Sequence, residues 1–156
     1  MLKDMVGSLG YFGAIVLVLM VSASVWFRMA PTDPTVWHTD PAHAEPGPGG
    51  IVMKVKGGDA QAPVFFDKNS KELLKRLDAI ALSEPRTKRV AGGPDEGRIT
   101  YISRSLVMGF PDYTTVEAIP TDDGTQLLVH ARLRYGKSDL GVNSARVQRW
   151  LIALGS

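Results

Sequence analysis

The chain reads as an α+β protein: an N-terminal transmembrane helix, then an antiparallel sheet with two helices packed on one face. Three observations predict this. A long uncharged run opens the sequence, alternating strand-like segments fill its second half, and two segments repeat apolar residues at helical spacing. With 156 residues there is room for one domain beyond the opening run, and no internal repeat is visible. The predicted division is 1–28 anchor, 29–50 Pro/Gly-rich linker and 51–156 globular domain.

Between Met5 and Phe27 no residue is charged. As a helix this run reaches about 34 Å, enough to cross a hydrocarbon core. Lys3 precedes it, Arg28 closes it, and Tyr11, Trp26 and Phe27 suit the interfaces. A cleaved signal has a shorter apolar core with a small-x-small site close behind. Here the best such site, Ala42-His43-Ala44, lies far downstream. The run is therefore read as an uncleaved anchor, partnering the bilayer through residues 5–27. With no cysteine, a lipid-modified N-terminus is excluded. Lys3 and the α-amino group, offset by Asp4, face only Arg28, then acids and histidines until Lys54. That slight basic excess predicts a cytoplasmic amino end and a periplasmic domain on a bacterial inner membrane.

Residues 30–50 hold Pro31, Pro34, Pro41, Pro46 and Pro48 and close on glycines, the composition of a solvated spacer. Trp37 is the exception, an apolar ring expected to dock on the domain. His38, Asp40 and His43 invite a metal reading, but a Pro-rich strip without cysteine is a weak ligand set. No metal or cofactor is expected.

"IVMKVKG" and "APVFF" are β-prone, parted by Gly57-Gly58. Asn69 can cap a helix, with Glu72 completing a capping box. Leu73, Leu74, Leu77, Ile80 and Ala81 share one face of that helix, and Pro85 ends it. "RITYISRSLVM" is a strand, Gly109-Phe110-Pro111-Asp112 a turn, and "YTTVEAI" the next strand. Asp123-Gly124 signals a hairpin into "TQLLVHARLRY". The closing helix carries Val147, Trp150, Leu151 and Leu154 on one stripe.

Gly136-Lys137-Ser138 resembles the end of a phosphate-binding loop. The motif needs a glycine where Ala131 stands, within a predicted strand, so the nucleotide reading fails. Ser138, Asp139, His130 and Arg134 would suit a small hydrolase or transferase acting on an anionic or ester substrate, were they to converge. Turn chemistry alone explains the residue types. Ser138 or Asp139 caps the helix, Asn143 shares the capping, and Gly136 and Gly141 take positive φ. The stretch is read as a structural corner.

Alternation places Leu127, Val129, Ala131, Leu133 and Tyr135 toward the helices. Leu128, His130, Arg132 and Arg134 point away from them. Hairpin parity adds Tyr113, Thr115 and Glu117 to this second face, and Arg104 joins it opposite Glu117 if the Gly109–Asp112 connection has even length. Arg104, Glu117, His130, Arg132 and Arg134 thus form the candidate ligand face, suited to carboxylate or phosphate. Alternating charge is also ordinary on the solvated face of a half-covered sheet. As exposed charges these arginines are expected to contribute little to folding. Removing Lys3 and Arg28 from the 18 basic residues, and Asp4, Asp33, Asp40 and Glu45 from the 16 acidic ones, leaves a mild basic excess beyond residue 50. It is too interleaved with acids for nucleic acid.

"YISRSLVMGFPDYTTVEA", "ARLRYGKSDLGVN" and "ARVQRW" resemble the bacterial and plastid family called domain of unknown function 1499. The carrying residues are Phe110, Asp112, Arg134, Gly136, Ser138, Asp139, Gly141 and Asn143, with Leu140 where the family often has phenylalanine. The resemblance covers about residues 50 to 155. It implies a globular domain, often behind a membrane anchor, and supplies no activity. The preferred function is a membrane-anchored binding or accessory module for an envelope protein complex or anionic lipid. The alternative is the small hydrolase or transferase.

Overall fold

A computed structural model describes residues 2–67 and 69–155, with side chains from residue 10 onward. The side chains of Lys3 and Asp4, which carry the orientation reading, lie outside the described residues. The opening helix, α1 (Leu2–Met29), contains the whole uncharged run, and Gly10–Met29 is long and apolar enough to cross a membrane. A short helix, α2 (Pro34–Trp37), and a 3-10 turn at Pro41–His43 follow. Asp33 and Asp40 cap these two segments and a proline begins each, so the Pro-rich stretch is organised by local rules.

Seven strands and two further helices complete the chain. They are β1 (Ile51–Lys54), β2 (Ala60–Gln61), β3 (Val64–Phe65), α3 (Ser70–Ser83), β4 (Thr87–Gly93), β5 (Arg98–Arg104), β6 (Pro111–Thr121), β7 (Gly124–Leu133) and α4 (Val142–Leu154). The sheet runs β2-β1-β7-β6-β5-β4, with β3 also paired to β7. All pairings are antiparallel except β1 with β2, so the sheet is mixed.

One face of the sheet holds the apolar core. Leu73, Leu74, Leu77 and Ala81 of α3 and Val147, Trp150, Leu151 and Leu154 of α4 pack on Ile99, Tyr101, Val116, Leu127, Val129 and Ala131. These are the helical stripes and strand alternation expected. Asn69 caps α3 by accepting from Glu72 N. The other half of the capping box does not form: Asp67 takes the Asn69 N–H, and Glu72 pairs with Lys75 instead.

Three expectations are corrected. β5 ends at Arg104, and Ser105–Met108 is a loop. β4, unassigned from the sequence, forms an edge strand with a bulge at Val90. The third correction concerns residues 30–50. Expected as a solvated spacer, they cross the second face of the sheet as an ordered strap, with Pro41 and Ala44 buried. Trp37 docks as anticipated, stacking on Tyr113 at 3.8 Å between centroids.

Candidate functional site

The register brings the candidate residues to one face, as strand parity predicted. Tyr113 pairs with Arg132, and Thr115 with His130. Glu117 lies opposite Arg98 and accepts from it at 2.9 Å, whereas Arg104 lies opposite Pro111. The conditional pairing of Arg104 with Glu117 is therefore corrected. The turn is offset because β6 begins at Pro111 and pairs at once with the last residue of β5.

This face is occupied by the protein's own strap. Arg134 donates to the Pro31 carbonyl at 2.6 Å and Arg132 to the Trp37 carbonyl, with Thr39 Oγ1 a further acceptor at 3.2 Å. The Arg132 guanidinium also sits over the Trp37 ring. His38 Nδ1 meets Thr100 Oγ1 at 2.9 Å, Thr32 Oγ1 meets Tyr113 Oη at 3.0 Å, and Lys54 donates to the Ala44 carbonyl. The absence of a side chain at Gly92 makes room for this approach. At Gly92, φ is +73°, and a Cβ there would lie 2.1 Å from the Arg98 carbonyl oxygen and 2.8 Å from His38 Cε1. Strand alternation correctly assigned the polar side chains to one face. Their partners, backbone carbonyls of a distant Pro-rich segment, leave no periodic signal.

Enclosure shifts the titration of the covered groups. Burial, then the neighbouring Arg132 charge, push His130 down to about 4. Its Nδ1 lies 3.1 Å from Arg132 Nη1, so the neutral ring is suited to accept there. Burial lowers Arg132 to about 10, leaving it charged at neutral pH. Thus Arg132 and Arg134 are strap clamps rather than the freely exposed pair expected.

The corner behaves as its residue types suggested. Gly136 and Gly141 have positive φ. Asp139 accepts from Gly141 N at 3.0 Å and Asn143 N at 2.6 Å, and Ser138 Oγ accepts from Leu140 N. The Asn143 side chain does not share the capping. It is buried, donates to the Gly49 carbonyl and accepts from Arg146, joining strap to helix. No hydrogen bond or ion pair among the described residues links Ser138 or Asp139 to His130, and the two groups line separate cavities. Nor does any His/Asp/Glu group of metal-site size occur among the described residues, and His43 simply bonds Asp40.

A cavity of about 550 Å³ opens where the end of α1 and the start of the strap meet β4 and β5. Pro34, Val90 and Ile102 provide apolar walls, while Arg28, Arg86, Lys88 and Arg104 bring cationic side chains. Arg89 also lines it, but its guanidinium is paired with Asp78. Among the described residues, no carboxylate forms an ion pair with the other four. Arg104 donates to the carbonyls of Phe27 and Gly109, and Arg28 to those of Leu106 and Val107, which fixes both at the foot of α1. Arg86 takes a left-handed φ of 62°, held by its Nε donation to the Arg104 carbonyl and by the return bond from Arg104 N. A non-glycine residue kept there stores backbone strain, a common feature of binding sites. Of the sequence-based set only Arg104 lines this cavity. Arg86 and Lys88 were missed because β4 was. Thr87-Lys88-Arg89-Val90, lying between Pro85 and Pro94, was the available strand signal.

The described residues thus comprise an apolar N-terminal helix, the one candidate span among them, a strap, and an α+β domain closed by that strap. The family model "Protein of unknown function (DUF1499)" matches residues 29–154, and the chain belongs to that family. The match takes in the strap as well as the sheet. No curated protein and no solved structure matches the chain.

Proposed function

We propose that the protein is a membrane-anchored binding module that holds the anionic headgroup of a lipid in the Arg28/Arg86/Lys88/Arg104 cavity. One observation carries this reading: four cations that no carboxylate among the described residues ion-pairs surround an apolar-walled space at the foot of a helix suited to crossing a membrane. Guanidiniums match phosphate and carboxylate oxygens in pairs, and Lys88 adds a mobile point charge. The volume falls in the usual range for small-ligand sites. In this reading α1 stays in a bacterial inner membrane with the domain on the periplasmic side, and the cavity opens at headgroup level. An alkaline-phosphatase fusion at the carboxyl end tests the side and should be active.

The binding test uses full-length protein in nanodiscs of zwitterionic lipid doped with anionic phospholipid, followed by native mass spectrometry. Retention of anionic lipid is expected, with at least a tenfold loss in Arg86→Glu/Lys88→Glu, whose side chains are both exposed. Equal retention by wild type and variant would remove the cavity as the site.

A further inference from the structure

We propose that the loop from Ser105 to Gly109, together with Leu140, is a second membrane contact that seats the domain in the bilayer beside α1. This rests on the reading of α1 as a membrane-spanning anchor.

The loop folds back along the helix. Ser24 Oγ donates to the Val107 carbonyl at 3.0 Å, and Arg28 donates to Leu106 and Val107 carbonyls at 2.8 and 3.0 Å. Ser24 lies four residues before Arg28, about 6 Å deeper along the helix axis. Farther in, Val107 and Met108 share a groove with Leu17, Met20 and Val21. Whatever surrounds that stretch of α1 therefore also surrounds the loop. Irregular backbone is costly in hydrocarbon unless its polar groups find protein partners. Here α1 binds two carbonyls, Arg104 binds the Gly109 carbonyl, and Ser105 and Phe110 bond each other in both directions.

The side chains fit a lipid environment. Leu106 and Val107 are each 68% exposed in the isolated chain. Leu140 is 94% exposed and has φ +53°, a conformation disfavoured for leucine that the Asp139 and Ser138 bonds to the turn maintain. It belongs to the same end of the sheet. Phe110 and Tyr135 pack on Phe27, and they line one cavity with Asp139 and Val142, on either side of Leu140. Charge follows the same axis. Arg28, Arg86 and Lys137 lie at this end, where the carboxylates are engaged, Glu84 by Arg149, Asp112 by Arg146 and Asp139 by the backbone N–H groups of Gly141 and Asn143, whereas Asp95, Glu96, Asp122 and Asp123 occupy the connections at the opposite one. Basic residues beside an apolar insertion favour anionic headgroups. Continuity with the apolar face of α1 is what selects the bilayer, rather than a protein, as the occupant.

The chain lacks cysteine, so single-cysteine variants can report depth. Full-length Val25→Cys, Val107→Cys, Leu140→Cys and Phe66→Cys, each carrying an environment-sensitive fluorophore, would be placed in phosphatidylcholine/phosphatidylglycerol vesicles containing spin-labelled lipid. Phe66 is the control: it is 91% exposed but lies by the β6–β7 turn, at the far end. Quenching of at least twofold is expected at 25, 107 and 140, with none at 66. An unquenched 107 or 140 beside a quenched 25 overturns the seating while leaving the anchor intact. An unquenched 25 removes the anchor reading, and the seating falls with it.

Discussion

The two faces of the sheet are covered in different ways. The helix-covered face is closed by interdigitated apolar side chains, with Trp150 only 2% exposed beneath α4. The strap-covered face is closed by a polar clamp in which Arg132, Arg134 and Lys54 bind backbone carbonyls, with Trp37, stacked against Tyr113 and the Arg132 guanidinium, as its main apolar contact among the described residues. The first cover is held by burial of area, which needs only apolar side chains at the right period. The second depends on particular donors meeting particular acceptors. Such bonds contribute less each, but leave a costly unpaired group when one partner is removed.

The largest test of this contrast is on the helix face. Trp150→Ala should cost about 3 to 5 kcal/mol through the cavity it leaves, read from denaturant midpoints. A chain beginning at residue 51 should retain that core and still fold. It should nevertheless be less stable than a chain beginning at residue 30 by about 2 to 4 kcal/mol, because the strap's bonds to the domain are exchanged in large part for bonds to water when it is absent. Equal stability would mean that the strap merely rests on the sheet. Arg132→Ala should cost about 1.5 to 3 kcal/mol, the usual range for bonds to a charged group, and should speed proteolysis within residues 30–50. That reverses the sequence-based expectation that removing these arginines leaves stability nearly unchanged.

Smaller effects sharpen the picture. Asp139→Ala should lower stability by about 0.5 to 2 kcal/mol, since its carboxylate accepts from both Gly141 N and Asn143 N at the start of α4. Ser138→Ala should fall below that, losing a single exposed bond. Acid should loosen the strap-covered face. His130 is held neutral with a folded value of about 4 against an ordinary 6.5, so the unfolded chain binds its proton first. The stability that depends on neutral His130 is full above pH 6.5 and declines as pH falls toward 4. His130→Gln should flatten the stability profile across that window. An unchanged slope would assign it to other groups.

From residue order alone came the features governed by local periodicity and local turn chemistry. The uncharged run fills most of α1, Leu73 through Ala81 and Val147 through Leu154 mark the buried helix faces, and Asn69, Pro85 and Asp139 mark helix ends. The 2-residue period of β7 and the hairpin parity of β6 placed His130, Arg132, Arg134 and Glu117 on one face, because pleating forces alternate side chains apart. What covers that face was decided only in the folded chain. Arg134 reaches Pro31, 103 positions away, and Arg132 reaches Trp37, 95 away. A carbonyl acceptor is common to every residue type, so nothing in a Pro-rich segment advertises which arginine will bind it. The cationic cavity has the same origin: Arg28 comes from a helix, Arg86 and Lys88 from an edge strand region, and Arg104 from the next strand. Sheet pairing and the return of the 105–109 loop to α1 bring these charges together, and spacing along the chain carries no record of it.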